Sequence, residues 1–526
     1  QVLLYLSREL SYAYCWCKKL FFMDSQDIFN KLTRGIRFNA VRKEKKNEIK
    51  TEEENDTNFG NTMLKKKVNK NKLEAIRREQ VAHFRNINGI SASGKNIPDP
   101  IKEFIELKEK YHVSEQIINN LHSCGYKRPT PVQMQIIPAM LSDREILACA
   151  PTGSGKTAAF LVPLLAKLHK PSRQGFRVLI LCPTRELSKQ ILRECILLGK
   201  GTGIVPHCIR KVSQDDKKFG PNFSKKFDIL ITTPNRLIYL MKKENSVVSF
   251  SRTEWLIIDE SDKLFEPGIR SFRDQLEEIQ SCCNENIKKA MFSATYTAQV
   301  AKWCHKNIKN ILSVTVGHRN TTVQDVEQDL VYVGNETGKL IAFRDLVKQG
   351  LPVPALVFVQ SKERAKELFN ELIFDGINVD VIHADRTQLQ RDNVVKAFRE
   401  GKIWVLISTE LMGRGIDFKG VKLVVNFDFP PSAISYIHRI GRTGRAGRSG
   451  KAITYFTDDD KPTLIKISKV IRDSGGTVPE YLLSLKSKKS RKKTQLSVPS
   501  REPITTEIAP PPKKKFKKLI SDESKS

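Results

Sequence analysis

Two short segments carry residue types whose spacing suits one kind of chemistry. The first, Ala150-Pro151-Thr152-Gly153-Ser154-Gly155-Lys156-Thr157, sets small residues and two glycines ahead of a lysine and a hydroxyl. Gly153 and Gly155 let backbone amides come close to a ligand, so the loop can cradle phosphate oxygens. Lys156 then reaches the β and γ phosphates of a nucleotide, and Thr157 offers its hydroxyl to Mg2+. The second segment, Asp259-Glu260-Ser261-Asp262, ends the apolar run Trp255-Leu256-Ile257-Ile258. Acidic residues after a strand commonly cap a helix or line a turn. Behind a phosphate loop they complete a nucleotide hydrolysis site: Asp259 holds the hydration shell of the metal, and Glu260 orients and deprotonates the attacking water.

These segments need elements that bring them together. Short apolar runs alternate with amphipathic helical stretches: EILACA (145 to 150), RVLILC (177 to 182), DILITT (228 to 233), WLIIDE (255 to 260) and AMFSAT (290 to 295). A second series is ALVFV (355 to 359), VDVIHA (379 to 384), IWVLIST (403 to 409), KLVVNFD (422 to 428) and AITYF (452 to 456). Unbroken apolar runs of this length are expected to be buried parallel strands. The fold class is therefore α/β, two tandem domains of parallel sheet flanked by helices, with ligand loops at the carboxyl ends of the strands. The expected division is a first domain at 101–317, a linker at 318–327 and a second domain at 328–482.

Outside that region the composition changes. Residues 23–100 form a basic N-terminal region expected to be largely disordered, with a helix near Lys72 to Phe84, because so few apolar residues cannot offset the entropy of ordering. Residues 483–526 are expected to be a disordered Lys-rich tail, carrying KSKKSRKK (486 to 493) and PPPKKKFKK (510 to 518). Residues 1–22 lack a clean apolar centre and a small-residue cleavage site, so they do not read as a secretory signal. Met23 is the first methionine, and it is expected to be the physiological start, with 1–22 an upstream extension.

The 526 residues are 40% hydrophobic, enough for two cores, and 90 Lys and Arg against 58 Asp and Glu leave a formal charge of +32. Such a balance makes a polyanion the expected partner class. The 10 cysteines show no paired metal-ligand spacing, which argues against zinc and suits reduced thiols in the nucleus or cytosol. No run of about 18 apolar residues is present to cross a membrane.

The acidic segment resembles the Asp-Glu-Ala-Asp box of DEAD-box RNA helicases, with Ser261 in the Ala position. Further segments match in order. Gly125-Tyr126-Lys127-Arg128-Pro129-Thr130-Pro131-Val132-Gln133 is similar to the family's adenine-reading motif, in which Gln133 and Arg128 meet the nucleotide, and Phe104 is the candidate for its upstream aromatic. Pro183-Thr184-Arg185 and Thr233-Pro234-Asn235-Arg236 resemble two loops that grip RNA sugar and phosphate. Asn235 stands where Gly is usual, and no Gly pair is evident in 209–227. Ser293-Ala294-Thr295 resembles the segment that couples nucleotide state to closure, together with Asp262.

In the second half, Val359-Gln360-Ser361 and His383-Ala384-Asp385 with Gln388 and Arg391 resemble the family's complementary motifs, and the resemblance puts Ser361 and Arg391 on RNA. In Ser408-Thr409-Glu410-Leu411-Met412-Gly413-Arg414-Gly415-Ile416-Asp417 the resemblance puts Thr409 and Gly413 on RNA and Gly415 and Asp417 near ATP. Tyr436 to Arg445 supplies Arg442 and Arg445 as arginine fingers, with His438 and Arg439 holding the network; such a finger contributes roughly 10³ to 10⁵ in rate.

The resemblance, over about residues 101–480, implies two RecA-like domains, ATP and Mg2+ as ligands, and local opening of short duplexes through sequence-nonspecific backbone contacts. The box followed by Lys263-Leu264-Phe265-Glu266, with LVFVQSKERAKELF and GKIWVLIST, looks like a branch that assists small ribosomal subunit assembly. That branch implies precursor 18S rRNA, guide RNAs, preribosomal proteins and a nuclear, nucleolar location. Two alternatives stand beside it. An ATP-gated RNA clamp or scaffold with little turnover is disfavoured by the intact Glu260, Arg442 and Arg445. A DNA helicase is disfavoured by Gln133 and the loops at 183 and 233.

Overall fold

A computed structural model describes residues 61–209, 226–242, 250–262, 272–317, 326–410, 418, 420–444, 448–484 and 501–504. Among them the first domain contains β1 (Ile90–Ser93), β2 (Ile146–Cys149), β3 (Val178–Leu181), β4 (Pro206–Cys208), β5 (Ile229–Thr232), β6 (Trp255–Ile258), β7 (Lys288–Ser293) and β8 (Leu312–Val316). They form one sheet in the order β1-β8-β2-β7-β6-β3-β5-β4, parallel throughout except that β1 runs antiparallel to β8. The second domain contains β9 (Val326–Tyr332), β10 (Ala355–Val359), β11 (Val379–Ile382), β12 (Val405–Thr409), β13 (Leu423–Asn426) and β14 (Gly450–Phe456). Its order is β11-β12-β10-β13-β14-β9, with every pairing parallel.

Alternation along single strands explains the unbroken apolar runs. On β3, Val178 and Ile180 enter one apolar cluster and Leu179 and Leu181 another. On β10, Leu356 and Phe358 enter one, and Ala355, Val357 and Val359 the other. Successive side chains point to opposite faces, so both faces of both sheets are covered and mainly apolar. Parallel strands also put their carboxyl ends along one edge. Ala150, Cys182, Thr233, Asp259 and Ala294 follow β2, β3, β5, β6 and β7 on that edge of the first sheet. Helices begin immediately after these turns. Thr184 caps Arg185–Leu198 by accepting the Leu187 N–H at 3.3 Å, and Ser361 caps Lys362–Phe374 by accepting the Arg364 N–H at 3.2 Å.

Three boundaries differ from the expected ones. The helix expected near 72–84 spans Asn61–Ile87, and the following residues 90–93, expected to be disordered, form β1 on the sheet edge. Arg85 ties this end to the domain by donating to Gln135 Oε1 at 2.8 Å and to the Pro98 carbonyl at 2.9 Å. β9 begins at Val326, inside the expected linker. Residues 501–504 lie within the tail expected to be disordered, yet Arg501 and Ile504 are buried on the second domain. Residues 1–60 and the Lys-rich runs at 486–493 and 510–518 lie outside the described residues. Among the described residues the cysteines are free thiols, and no helix is long and apolar enough to cross a membrane.

Candidate functional site

The phosphate loop spans the gap between β2 and the helix Lys156–Leu168. Its turns require Gly153 and Gly155 at φ of 78° and 89°, a region closed to most side chains. A Cβ on Gly155 would also stand 2.5 Å from Gln133 Nε2. Gln133 is fully buried; its Oε1 accepts the Thr130 N–H at 3.0 Å and its Nε2 donates to the Gly155 carbonyl at 3.1 Å. The residue expected to read adenine thus ties its own helix, Pro131–Leu141, to the loop. Arg128 is exposed. Phe104 belongs to the apolar core at 2% exposure and does not face the cleft. Tyr126 does line it, and its hydroxyl donates to Glu194 at 2.6 Å.

Opposite the loop, Asp259 is buried and accepts the Glu260 N–H at 2.9 Å. Glu260 holds φ at 52°, a left-handed conformation that costs a side-chain-bearing residue about 1–3 kcal/mol and concentrates at functional sites. Its Oε2 is buried without a hydrogen-bond partner in the structure. Burial first, then the charge of Glu260, raises the Asp259 carboxyl to about 7. Lys156 donates to the Ala150 and Pro151 carbonyls at 2.7 and 2.8 Å, and burial lowers its amine despite Asp259 nearby. Among the described residues no three of His, Cys, Asp and Glu gather as a metal cage. Mg2+ binds through one or two carboxylates plus substrate phosphates and its own waters. A crowded, raised Asp259 beside an orphaned Glu260 oxygen is a donor set that a divalent cation would relieve.

The second domain completes this cleft. Thr152 of the loop donates to the Gly441 carbonyl at 3.0 Å. Asp262 Oδ2 accepts the Thr295 hydroxyl at 2.6 Å and lies 2.6 Å from His438 Nε2, so one buried carboxylate joins the acidic box, the Ser293–Thr295 turn and the second domain. Ser293 Oγ donates to the Thr295 carbonyl at 2.8 Å and accepts its N–H at 3.1 Å, fixing that turn. Arg442, 3% exposed, donates through Nε to the His438 carbonyl at 3.1 Å and lines the cleft. Arg439 stays within its own domain, donating to the Asp428 carbonyl at 2.8 Å and pairing with Glu410 at 3.3 Å. The open cleft has a volume of about 890 Å³, lined by Thr152, Lys156, Asp259 and Glu260 on one side and His438 and Arg442 on the other. Lys422, Arg448 and Lys451 also line it; sequence reasoning missed them, because single cations scattered along and between strands give no spacing signal.

Along the same edge, Arg185 is exposed at the start of its helix, with Pro183 and Thr184 half-buried before it. Thr233 and Pro234 are buried at the start of Pro234–Met241, and Arg236 turns inward to donate to the Ile209 carbonyl. Ser361 and Thr409 are half-buried at the ends of their strands. Arg391 pairs with Glu186 at 3.5 Å, and Gln388 donates to the same carboxylate at 3.1 Å. Arg391, expected on RNA, thereby bridges the two domains together with Gln388, a contact invisible in sequence because its partner is so distant. Arg445, Gly413, Gly415, Asp417 and most of 209–227 lie outside the described residues.

Comparison with known proteins agrees with this arrangement. Residues 130–303 match the family model described as DEAD/DEAH box helicase, and residues 338–447 match helicase conserved C-terminal domain. The chain is 52% identical over 479 residues to a cattle ATP-dependent RNA helicase, DDX52, covering 89% of this chain and 80% of that one. It is 54% identical over 444 residues to the rat DDX52, covering 84% and 74%. Among solved structures, Mss116p bound to single-stranded RNA and AMP-PNP superposes with a TM-score of 0.64 at 25% identity, covering 73% of this chain and 81% of that one. With both halves matched, two RecA-like domains in place and the matched motifs meeting in one cleft, the chain belongs to the DEAD-box family of ATP-dependent RNA helicases.

Proposed function

We propose that this helicase hydrolyses ATP in the interdomain cleft and couples each turnover to a grip on one RNA strand. The observation that carries the reading is the buried Asp262, whose single oxygen meets Thr295 and His438. Lys156 and the amides of Gly153 and Gly155 hold the phosphates. Gln133 and Tyr126 set the base end, with Arg128 at its rim and Ala150, Pro151, Thr152 and Ser154 shaping the loop. Thr157, and Asp259 through water, would hold Mg2+, which would supply charge neutralisation of the transferring phosphoryl group. Glu260 orients and deprotonates the attacking water, while Arg442 and Arg445 reach the γ phosphate from the second domain. By resemblance to the family's motif, Gly415 and Asp417 are assigned to the ribose and phosphates.

Pro183, Thr184, Arg185, Thr233, Pro234, Arg236, Ser361, Arg391, Thr409 and Gly413 line the RNA path, meeting sugar and phosphate rather than base edges. Because hydrolysis needs groups from both domains, it needs closure. Closure on a strand bent away from duplex geometry pries a short helix apart.

The RNA in this reading is precursor 18S rRNA with its guide RNAs, handled in the nucleolus among preribosomal proteins. Supporting it are the Asp-Glu-Ser-Asp box, the LVFVQSKERAKELF and GKIWVLIST runs and the charge of +32. Crosslinking and sequencing of RNA held in cells by a Glu260→Gln variant tests it. Reads concentrated on precursor 18S rRNA and guide RNAs are expected; reads spread over messenger RNAs would remove the ribosomal assignment.

A further inference from the structure

Beneath the turn Val359-Gln360-Ser361 lies a buried cluster of charges. Lys339 and Asp428 are both fully buried and pair at 3.0 Å. Arg364 reaches Asp428 at 2.7 Å and Glu336 at 2.7 Å, and Lys339 also meets Glu336 at 2.8 Å. Burial works to raise the Asp428 carboxyl, but Lys339 and Arg364 overcome it and hold that group far below the ordinary carboxylate range. With Asp460, also buried, the cluster has three carboxylates against two cations from the domain itself. A buried charge without a partner is costly.

The third cation comes from the far end of the chain. Arg501, its side chain 3% exposed, pairs with Asp460 at 2.7 Å and Glu336 at 3.0 Å. Its Nε donates to Gln360 Oε1 at 3.1 Å. Two further contacts seat the same segment. Arg364 donates to the Glu502 carbonyl, and the Ile504 N–H donates to Glu367 at 2.9 Å. The Ile504 side chain is 7% exposed among Leu340, Phe343 and Leu368.

Gln360 is thus held twice, by Arg501 through its side chain and by Asp428, which accepts its N–H at 2.9 Å. Ser361, the next residue, caps its helix on the N–H of Arg364, itself a member of the cluster. We infer that Arg501–Ile504 is a strap of the second domain that positions the Val359–Ser361 turn for RNA, with Arg501 as the positioning residue. This rests on the reading of that turn as an RNA contact. Residues beyond the helicase core matches thereby set RNA affinity, leaving the chemistry at the cleft unchanged.

The test uses the full chain and RNA-stimulated phosphate release. Arg501→Gln should raise the RNA concentration for half-maximal stimulation about tenfold, the size of one lost set of charge-assisted hydrogen bonds. The rate at saturating RNA should stay within about twofold, because the groups of the cleft are untouched. Arg501→Lys should recover part of the affinity, keeping the charge but not the three-way fork. Ile504→Ser loosens the strap without altering the cluster and should shift RNA affinity the same way, so the inference stands even where Arg501→Gln fails to fold. A lowered melting temperature with unchanged RNA dependence in Arg501→Gln and Ile504→Ser would overturn the strap, provided Ser361→Ala weakens RNA. Unchanged RNA dependence in Ser361→Ala as well would overturn the reading of the turn, and the strap's role with it.

Discussion

Gly441 is the residue at which closure is most exposed to a single atom. A Cβ there would stand 2.0 Å from Thr152 Oγ1 and 3.0 Å from the Ile437 carbonyl. Gly441→Ala should therefore hold the domains apart: RNA-stimulated phosphate release falls about tenfold or more, while ATP affinity measured with a fluorescent analogue stays near the parent's. Lys156→Ala acts on the chemistry itself and should abolish turnover; near-normal RNA-stimulated release by that variant would refute the assigned phosphate site.

Asp259 gives a pH signature. Burial and Glu260 raise its carboxyl to about 7 from the ordinary 3.8, so the folded, nucleotide-free protein holds a proton that the unfolded chain has lost between those values. Its contribution to stability is full below the ordinary value and is lost as pH rises through about 7. Asp259→Asn should melt above the parent at pH 8, with the gap closing toward pH 5, by calorimetry of the two proteins side by side. The phosphate loop and acidic pair were legible in sequence because their spacing is local. The bonds of Gln133 to Gly155 and of Arg391 to Glu186 were not, since each joins residues far apart in the chain.

The buried strands were easy to recognise, because two covered faces favour apolar residues throughout, and Ala355–Val359 matches its expected bounds. β1 escaped notice for the opposite reason. Ile90–Ser93 has one buried side chain, Ile90, and alternates too briefly to stand out within a Lys- and Asn-rich region. Its strand character comes from pairing with β8, which is tertiary. The seating of 501–504 was hidden in the same way, because a charge run gives no sign of which single arginine finds buried carboxylates. Removing residues 1–96 should lower the melting temperature by about 2–4 °C per kcal/mol lost, since β1 and the Arg85 contacts go with it.

Among the described residues, two seams join the domains: the cleft itself and the polar contacts between Arg185–Leu198 and Gln388–Arg399. Lys189 meets Asp392 at 2.5 Å beside the Glu186 contacts to Gln388 and Arg391. Partly exposed pairs of this kind contribute about 0.2–1 kcal/mol, so they tune closure rather than drive it. The charge of +32 acts over the whole surface, and RNA affinity should fall by about 0.7 log units per log unit of salt for each phosphate neutralised. The central claim is that one RNA-gated hydrolysis site is built from both domains, and steady-state phosphate release with and without single-stranded RNA tests it most directly. The expected result is a low rate alone, stimulation of about tenfold or more by RNA but not by DNA of the same sequence, and loss of that stimulation in Glu260→Gln. A rate independent of RNA, or one that survives Glu260→Gln, would contradict it.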